Sequence, residues 1–577
     1  MLEQTPTRHP GRDKRHADFG TIAAALDYAA LGPTGLNFYS GKGELSEALP
    51  YAALREQAIG LARRMLGAGL QPGDRVALIA DSDGDFARAF FACQYAGLIP
   101  APLPLPAAFN GREGYVAHVR RMIRSMDAAA AFCPAMLTAW LAEATEGMDL
   151  KLAGTLALLG DAAPAEALPA QDPDSLAYLQ FSSGSTRFPL SIAVTQRAFM
   201  ANARAVGLYG LRLGEDDRAV SWLPFYHDMG LVGFLLIPTS CQMTVDLIAP
   251  RDFARRPLLW LDLISRNRAT ISYSPSFGYE LAARRAETAS TEGIDLSTWR
   301  SAGIGGDMIR PNVLARFVER FAPKGFDGSA FVPSYGMAEA TLALSFAPAR
   351  QGARIDVIDS AMLENADMAV PAGDIRRRGF VVCGGILPGH AVEVRDAQGA
   401  SLPERRIGRL FVKGPSLMTG YFRAPEETAQ AISPDGWLDT GDLGYLLDGQ
   451  IVITGRAKDL IIIKGRNLWP QDLEWAAETD IAALRTGDLA IFSVDGEADE
   501  EVVALVQCRS SDTAVRDALA AQIASLFRGR FGIEARIVLV PPHALPQTSS
   551  GKLSRSRARA MYLAGAFAPQ PAFAAGE

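Results

Sequence analysis

Short apolar runs alternate with longer stretches of helical periodicity over most of the chain. The run Arg75–Ala80 (RVALIA) predicts a buried strand, and Asp85–Gly97 predicts a helix that ends at a glycine. Further strands are predicted at Thr155–Gly160, Leu176–Ser183 and Arg218–Pro224. Strands that alternate with helices in this way are typical of an α/β fold with mostly parallel sheets.

The pattern changes at about residue 381, where short strands are separated by glycine-rich turns. This change predicts a β-rich, barrel-like section over about 381–456. After Ile461 the pattern predicts a smaller unit of helices and strands, at Gln471–Glu478, Ala514–Phe531, Ala490–Val494 and Val502–Gln507. The predicted fold is therefore α/β: a large N-terminal region of two α/β subdomains and a β-barrel-like subdomain, followed by a small, mobile α+β C-terminal domain.

Composition excludes several classes of function. The chain has 577 residues and a formal net charge of −7, so the molecule as a whole is not an electrostatic binder of nucleic acid. Its five cysteines form no CxxC or Cys/His spacing, which favours reduced thiols in the cytoplasm. The longest apolar runs are about half of the roughly 20 residues that a membrane crossing needs, and no signal peptide is evident. Residues 1–16 are polar and basic, and we expect them to be disordered.

The stretch FSSGST, residues 181–186, has the composition of a loop that wraps phosphate. Its serines, threonine and glycine offer hydroxyls and backbone N–H groups at close range, which is what an anion cradle needs. An ordinary Ser/Gly turn has the same composition, so both interpretations stay open on this stretch alone. The loop is not a Walker A loop, and the next lysine is Lys324, so the cation that neutralises a bound nucleotide must come from elsewhere.

Four further stretches decide between these interpretations. They are SWLPFYHDMGLVG (Ser221–Gly233), SYGMAEA (Ser334–Ala340), GWLDTGDLGYLLDGQIVITGRAKDLIIIKGRN (Gly436–Asn467) and PQTSSGKLSR (Pro546–Arg555). Together with the loop, and in this order, they resemble the adenylate-forming superfamily of acyl-CoA synthetases, nonribosomal peptide adenylation domains and luciferases. The resemblance runs from about residue 20 to about residue 565.

Within that superfamily the sequence looks most like the fatty acyl-AMP ligases. The stretch LPFYHDMGLVG is close to that branch's signature, GRNLWPQDLE (Gly465–Glu474) resembles another of its segments, and the loop Ser-Gly-Ser-Thr-Arg is a variant common there. Residues 350–378 lie where that branch carries an insertion. The resemblance implies that ATP and Mg²⁺ are used to activate a medium- or long-chain fatty acid as acyl-AMP, with release of pyrophosphate. The acyl group would then pass to the phosphopantetheine thiol of a separate holo-acyl carrier protein.

The resemblance also assigns a nucleotide site. The phosphates, adenine and ribose would be bound by Ser182, Ser183, Gly184, Ser185, Thr186, Gly305, Gly306, Asp307, Ser334, Tyr335, Gly336, Met337, Asp442 and Arg456. Asp442 would accept both ribose hydroxyls, and Arg456 would reach the ribose or the phosphates. Arg187 stands where glycine is usual in the loop, and a phosphate contact and a solvent-facing side chain are both open for it.

The resemblance implies four catalytic residues: Lys552, Glu339, His227 and Arg456. Activation needs no general base because the carboxylate is already ionised, but an anion must approach a polyanion. Two like unit charges about 4 Å apart repel by roughly 4 kcal/mol at an effective dielectric near 20. Lys552, Arg456 and Mg²⁺ held by Glu339 would offset that repulsion, and His227 would lie beside the acyl carboxylate or be a packed core histidine.

The acyl pocket and the hinge follow from the same resemblance. The pocket would be lined by Gly230, Leu231, Gly233, Phe234, Ser276 and Phe277, although an apolar helix in this position is also typical of a core. Lys458, within a hinge at 457–460, would be the pivot between an N-terminal domain at 17–456 and a C-terminal lid domain at 461–577. Rotation about it would remove Lys552 from the site.

Three alternatives remain beside a ligase that serves a carrier protein. A fatty acyl-CoA ligase would differ only in its acceptor. Amino-acid adenylation is disfavoured because FYHDMG lacks the aspartate context that such domains use for the α-amine. A non-catalytic nucleotide or acyl-adenylate sensor is suggested by the lysine-free loop, but Glu339, Asp442, Arg456 and Lys552 argue against it.

Overall fold

The computed structural model describes residues 13–106, 111–182, 189–374, 376–463, 466–495, 500–548 and 553–567. Its strands are β1 (Gly35–Tyr39), β2 (Leu45–Pro50), β3 (Arg75–Ile79), β4 (Ile99–Leu103), β5 (Ala128–Phe132), β6 (Leu152–Gly154), β7 (Leu176–Phe181), β8 (Ser191–Thr195), β9 (Arg218–Ser221), β10 (Thr244–Ile248), β11 (Ile271–Ser274), β12 (Ser301–Ile304), β13 (Phe331–Gly336), β14 (Ala343–Phe346), β15 (Ile355–Asp359), β16 (Arg377–Ile386), β17 (Ala391–Arg395), β18 (Gly408–Lys413), β19 (Gly420–Tyr421), β20 (Leu438–Leu447), β21 (Gln450–Arg456), β22 (Ile461–Ile463), β23 (Arg466–Leu468), β24 (Leu489–Asp495), β25 (Glu500–Gln507) and β26 (Ala535–Val540).

The helices pack on both faces of the sheets that these strands form. They are α1 (Ile22–Ala29), α2 (Tyr51–Gly67), α3 (Gly84–Ala96), α4 (Gly111–Ser125), α5 (Thr138–Thr145), α6 (Gln196–Ala205), α7 (Asp228–Leu231), α8 (Ile237–Ser240), α9 (Pro250–Arg255), α10 (Leu258–Arg266), α11 (Ser276–Arg285), α12 (Pro311–Phe321), α13 (Ser360–Ala366), α14 (Pro425–Ala431), α15 (Pro470–Asp480), α16 (Thr513–Leu526) and α17 (Arg555–Leu563). None of the helices in the described ranges combines the length and the hydropathy that a membrane crossing requires.

The main sheet has the order β17-β18-β20-β21-β16-β14-β13-β12-β11-β9-β10-β1-β2, and β15 pairs with β16. Its strands from β13 to β1 are parallel neighbours. A second parallel sheet has the order β4-β3-β5-β6, and β7, β8 and β19 form a smaller sheet. The predicted α/β fold is therefore confirmed. In open sheets of this kind, ligands bind beyond the carboxyl ends of the parallel strands.

The β-rich stretch is not a closed barrel, which corrects one part of the predicted fold. Strand β14 pairs antiparallel with β13 on one side and with β16 on the other, through Ser345↔Ile386. Strands β21, β20, β18 and β17 follow in antiparallel order. Because β14 pairs with β13, the edge strand of the parallel part, these strands extend the main sheet across that edge within the described residues.

The strand predicted at Thr155–Gly160 is wrong. Strand β6 ends at Gly154, and a 3₁₀ turn follows at Leu156–Leu159. Leu159 is buried in the core and Leu156 packs against it, whereas Leu158 is exposed. Positions three apart therefore share a face here, which is the period of a 3₁₀ turn and not of a strand.

The chain after residue 460, called the small unit below, has hydrophobic cores built from its own residues. One core lies between sheet β24-β25-β26 and helices α15 and α16, and a second lies between that sheet and α17. Trp469 is the exception: it is 2% exposed and packs in a cluster with Phe380 and Tyr445 of the large region. The predicted domain and hinge boundaries agree with this division of cores but stay predictions.

The N-terminal prediction of disorder falls mostly outside the described residues, since residues 1–12 are not among them. From Asp13 the chain follows the large region. The Arg15 N–H donates to Gln242 Oε1 at 2.9 Å, and the Ala17 N–H donates to the Ser240 carbonyl at 3.1 Å.

Candidate functional site

Two adjoining cavities open beyond the carboxyl ends of the parallel strands. The cleft cavity, about 460 Å³, lies between the large region and the small unit, and the inner cavity, about 550 Å³, extends into the large region. They share six lining residues: Gly306, Ser334, Tyr335, Gly336, Arg456 and Lys458. All six belong to the set that the sequence predicts for nucleotide binding or the hinge, so the structure brings these six together.

An ordered polar cluster lies where the cavities meet. The Tyr335 hydroxyl donates to Asp442 Oδ2 at 2.7 Å, and Arg456 Nε lies 2.9 Å from Asp442 Oδ1. Asp442 and Arg456 face each other because β20 and β21 pair at this register. Asp442 is only 5% exposed, and its carboxylate raises the pKa of the Arg456 guanidinium. The carboxylate is thus held in one orientation at the cavity wall.

The loop after β12 needs its two glycines for steric reasons. A Cβ on Gly305 would lie 2.6 Å from the Ser334 carbonyl oxygen, and Gly306 has a φ of +74°. Asp307 follows, and its carboxylate accepts a hydrogen bond from the Met308 N–H at 2.8 Å. The loop therefore packs closely against β13, next to Tyr335, and forms part of the wall of both cavities.

Glu339 lines the inner cavity one turn beyond β13. The Tyr421 hydroxyl donates to Glu339 Oε1 at 3.1 Å, and burial raises the pKa of Glu339. A buried carboxylate of this kind suits a cation, since a nearby positive charge offsets the loss of hydration. Tyr421, the last residue of β19, was missed by sequence reasoning because nothing in its neighbourhood marks it as close to Glu339.

His227 also lines the inner cavity and begins α7. Its Nδ1 lies 2.6 Å from Asp228 Oδ1 and 3.3 Å from the Met229 nitrogen. The loop before it is fixed to β7, because the Gln180 side-chain amide donates to the Tyr226 carbonyl at 2.9 Å. The imidazole is therefore oriented from its Nδ1 side.

The inner cavity has an apolar end. It is reached by two π-helical turns, at Val206–Gly210 and Val232–Leu236, which contribute Val206, Gly233 and Phe234 to its wall. Such turns are rare and often occur at functional sites. The other apolar lining residues are Leu211, Ile237, Met243, Ile271, Tyr273, Leu342 and Phe346.

The predicted acyl-pocket residues divide into three groups. Gly233 and Phe234 line the inner cavity, whereas Ser276 and Phe277 line the cleft cavity. Gly230 and Leu231 are buried in α7 and are absent from both walls, and a Cβ on Gly230 would lie 2.1 Å from the Pro224 carbonyl oxygen. Their part in binding stays a prediction.

The two segments predicted to carry the phosphate contacts and the catalytic lysine lie outside the described residues. These are Ser183, Gly184, Ser185, Thr186 and Arg187 in one segment and Lys552 in the other. Their described neighbours lie at the cavities. The Ser182 N–H donates to the Leu190 carbonyl at 2.9 Å, and Ser182 lines the inner cavity, whereas Thr548 and Leu553 line the cleft cavity.

The hinge residue Lys458 lies in a short 3₁₀ turn between β21 and β22. It lines both cavities, and burial lowers the pKa of its amine, with the nearby Arg456 charge acting in the same direction. Met337, the remaining predicted nucleotide contact, lines the inner cavity beside Glu339.

The profile of the AMP-binding enzyme family matches residues 36–422 of this sequence. The chain belongs to that family. This confirms the predicted membership of the adenylate-forming superfamily and the assignment as a ligase. The predicted likeness to the fatty acyl-AMP ligase branch is also confirmed.

Individual relatives agree with the family assignment. A Caulobacter vibrioides protein provisionally named an acyl-CoA synthetase is 57% identical over 98% of this chain and 99% of its own length. The medium-chain-fatty-acid–[acyl-carrier-protein] ligase JamA of Moorena producens is 30% identical over 95% of this chain and 96% of its own. A structure from a study of fatty acyl-adenylate ligases of E. coli and L. pneumophila has a TM-score of 0.92 and 43% identity, and the match covers 96% of this chain and all of that one.

Proposed function

We propose that this enzyme activates a medium- or long-chain fatty acid with ATP and passes the acyl group to the phosphopantetheine thiol of an acyl carrier protein. In the first step a carboxylate oxygen attacks the α-phosphorus, the bond to the bridging oxygen breaks, and pyrophosphate leaves. In the second step the thiol displaces AMP from the acyl carbon and loses its proton. One observation carries the proposal: a polar cluster at Asp442 and Arg456 adjoins a cavity with an apolar end.

The residues at the site can supply the positive charge and the metal ligand that adenylation needs. Arg456 lies at the boundary of the two cavities, and Lys552 is the second cation of the proposal. Thr548 and Leu553, the described residues on either side of its segment, line the cleft cavity. Within the described ranges no three His, Cys, Asp or Glu side chains are grouped to hold a metal by themselves. The Glu339 carboxylate at the wall of the inner cavity fits Mg²⁺ that takes its other ligands from phosphate and water, as this ion usually does. When bound, the ion would neutralise phosphate charge.

The apolar end of the inner cavity favours a hydrocarbon chain over a polar acyl group. Each buried methylene contributes about 0.8 kcal/mol, or roughly a fourfold gain in kcat/KM per carbon while the pocket has room. The residues at its wall are aliphatic or aromatic, and they include the ring pairs Phe234–Tyr273 and Tyr273–Phe346, with centroids 6.5 and 6.3 Å apart.

The proposal that a carrier protein is the acyl acceptor is supported by other observations. Residues 350–378, the predicted insertion, contribute β15 and α13, and they contact the start of the small unit: Arg466 pairs with Glu364 at 2.7 Å, and the Asn467 amide donates to Asp367 at 2.8 Å. Contacts of this kind restrict how the small unit moves between the two steps. The likeness to JamA supports a carrier protein as acceptor, and the name of the Caulobacter relative favours CoA as the second candidate.

The first experiment measures ATP–pyrophosphate exchange with fatty acids of increasing length, for the wild type and for Lys552→Ala. We expect exchange that rises with chain length and then levels off. The lysine variant should lose up to about three decades of rate, since the repulsion it offsets is roughly 4 kcal/mol. Lys42→Ala, a change at an exposed lysine, is the matched control. Unaltered exchange in Lys552→Ala contradicts the mechanism, and no exchange with any acid in the wild type favours the non-catalytic sensor.

The second experiment supplies either CoA or a holo-carrier protein after acyl-AMP has formed. The proposal expects acyl-carrier product in excess over acyl-CoA. An excess of acyl-CoA would identify the enzyme as a fatty acyl-CoA ligase and leave the adenylation step intact.

A further inference from the structure

An arginine that the mechanism above does not use joins the adenine-side loop to the small unit. Arg310 lies three residues after Asp307, and its guanidinium lies 3.1 Å from Glu478 of α15 and 3.9 Å from Glu280 of α11. The guanidinium also lies over the Trp475 ring, 4.8 Å from its centroid. Glu280 belongs to the large region, whereas Glu478 and Trp475 belong to the small unit, so this one cation contacts both.

The cluster is buried, although it is made of charges. The side chains of Arg310, Glu280 and Glu478 are 17%, 13% and 6% exposed. Burial of ionised groups is unfavourable unless they are paired, and replacing such a group with apolar residues is often neutral for stability. A buried charged contact between two parts of a molecule is therefore better explained by orientation than by stability.

Neighbouring hydrogen bonds connect the cluster to the wall of the cleft cavity and to the small unit. The Arg310 N–H donates to Ser276 Oγ at 3.4 Å, and that hydroxyl donates to the Met308 carbonyl at 3.2 Å, which fixes Arg310 to the loop beside Asp307. The Thr486 hydroxyl donates to Glu280 Oε1 at 2.6 Å, and the Gly487 N–H donates to Glu478 Oε1 at 2.6 Å. The contacts that depend on the small unit being closed over the loop are those of Arg310 with Glu478 and Trp475 and that of Thr486 with Glu280.

The predicted rotation about Lys458 would separate these partners. Arg310 would keep Glu280, which is on its own side, so the cation would still have a counter-ion after the small unit has moved. Glu478 would leave its buried position and reach water. The cluster can therefore open and close without leaving a buried cation unpaired.

We propose that Arg310 is a positioning residue for the adenylation half-reaction: it holds the small unit closed against the adenine-side loop. This inference rests on the proposed function, because it assigns Arg310 to the first of the two steps. It also explains why a charged residue stands at the end of a loop that lines the predicted nucleotide site.

The test compares the two half-reactions in Arg310→Met. This change leaves Glu280 and Glu478 facing each other without a cation, so the closed orientation is disfavoured. We expect kcat/KM for ATP in pyrophosphate exchange to fall by about tenfold or more, because removing one partner of a buried pair is strongly unfavourable. Acyl transfer from purified acyl-AMP should stay at the wild-type rate. An equal fall in both steps would mean a general structural role, and an unchanged exchange rate would also overturn the inference.

Further variants separate this coupling from misfolding. In Arg310→Met/Glu478→Gln the uncompensated carboxylate of α15 is gone, so part of the exchange activity should return, and additive losses would contradict the pairing. Thr486→Val removes only the hydroxyl bond to Glu280, from a residue that is not part of any core, and should weaken exchange in the same direction. Arg536→Met, at an exposed ion pair with Glu501 within the small unit, is the matched control and should change neither step.

A measurement without catalysis distinguishes this inference from the proposed function. Amide hydrogen exchange in peptides covering α15 reports whether the small unit is closed, whatever reaction the enzyme performs. We expect faster exchange there in Arg310→Met than in the wild type and the Arg536→Met control. Equal exchange in all three overturns the inference, whereas a wild type that is protected but inactive with fatty acids overturns only the proposed function.

Discussion

Asp442 illustrates how single residues define the predicted nucleotide site. Its two carboxylate oxygens contact different partners, the Tyr335 hydroxyl and Arg456, and the pairing of β20 with β21 sets its position. The residue type and the spacing in DTGD could be recognised in the sequence. The contact with Tyr335, 107 residues away, could not be predicted from either segment alone.

We predict that Asp442→Asn raises KM for ATP and changes kcat much less. The neutral amide presents one acceptor instead of two and leaves Arg456 with a weaker partner. A hydrogen bond to a charged group contributes about 1.5–3 kcal/mol, so kcat/KM for ATP should fall by roughly 10- to 150-fold. Pyrophosphate exchange at varied ATP measures this. Asp448→Asn, at an exposed pair with Arg354, is the control, and a KM equal to that of the wild type would contradict the assignment.

Other residues at the site carried no recognisable signal in the sequence. Tyr421 contacts Glu339 from a distant segment. Gln180 likewise contacts the loop before His227. Arg310 and Glu478 lie 168 residues apart and belong to different units. Motifs identify residues that meet the substrate, but residues that orient those motifs depend on how remote segments pack.

At the scale of elements, α7 shows how a short helix is fixed beside the site. Its Gly230 lies against the backbone of residues 223–224, so closely that a Cβ would be 2.1 Å from the Pro224 oxygen. This contact places His227 at the wall of the inner cavity. The glycine is therefore required for packing, and its predicted contact with the acyl chain is not needed to explain it.

We predict that Gly230→Ala destabilises the protein by more than about 2 kcal/mol, because a backbone oxygen cannot move aside without shifting β9 or α7. The matched control is Gly60→Ala in the middle of α2, where the added Cβ would meet nothing within 4 Å. That change should stabilise the protein by about 0.5–1 kcal/mol through helix propensity. Thermal unfolding of the two variants should shift in opposite directions, and equal shifts would contradict the packing argument.

Apolar periodicity predicted several elements from the sequence. Strands β3, β9 and β25 and helix α3 lie close to their predicted positions. Periodicity could not distinguish the 3₁₀ turn at Leu156–Leu159 from a strand, since four consecutive apolar or small residues fit either. The π turns at 206–210 and 232–236 were not predicted, because an extra residue in a helical turn leaves the apolar pattern nearly unchanged.

At the scale of the whole molecule, the predicted barrel shows a different limit. The strands were recognised, but whether a set of strands closes or continues a neighbouring sheet depends on edge pairing. Here the pairing of β14 with β16 decides it, and no local pattern records which edge a strand will join.

The interface between the large region and the small unit should respond to pH. Burial raises the pKa of Glu478 to about 7, although Arg310 acts to lower it; Glu474 acts to raise it, and Glu280 is the other carboxylate close to Arg310. Because the pKa of Glu478 is higher in the folded than in the unfolded chain, its protonated carboxyl stabilises the folded state fully below the unfolded pKa near 4.5. This contribution to the free energy of unfolding is lost as the pH rises through about 7.

We therefore expect Glu478→Gln to change the pH dependence of stability. The free energy of unfolding of this variant minus that of the wild type should increase as the pH is raised from about 4.5 to 7, by roughly 3 kcal/mol at most. Denaturant unfolding at pH 5 and pH 8 would measure this difference. Asp480→Asn, at an exposed pair with Arg530 on the same helix, is the control, and a constant difference across the range would contradict the assigned burial.

The contacts of the insertion lead to a prediction about the acceptor. The double variant Glu364→Ala/Asn467→Ala removes two polar contacts between residues 350–378 and the small unit. Losing about 1 kcal/mol of interaction energy between the insertion and the small unit should raise the ratio of acyl-CoA to acyl-carrier product by roughly fivefold. Glu501→Ala, at an ion pair within the small unit, is the control. An unchanged product ratio would mean that these contacts do not select the acceptor.

The position of Trp469 has a practical consequence for dissecting the enzyme. Its indole belongs to the small unit in sequence but to the large region in packing. A fragment cut at residue 461 would carry this ring into solvent, at a cost of about 4–6 kcal/mol for an area of 150–250 Å². The large region alone would have a solvent-exposed apolar cavity beside Phe380. Expressed separately, the two halves should be prone to aggregation, and mixing them should restore solubility through insertion of a single ring.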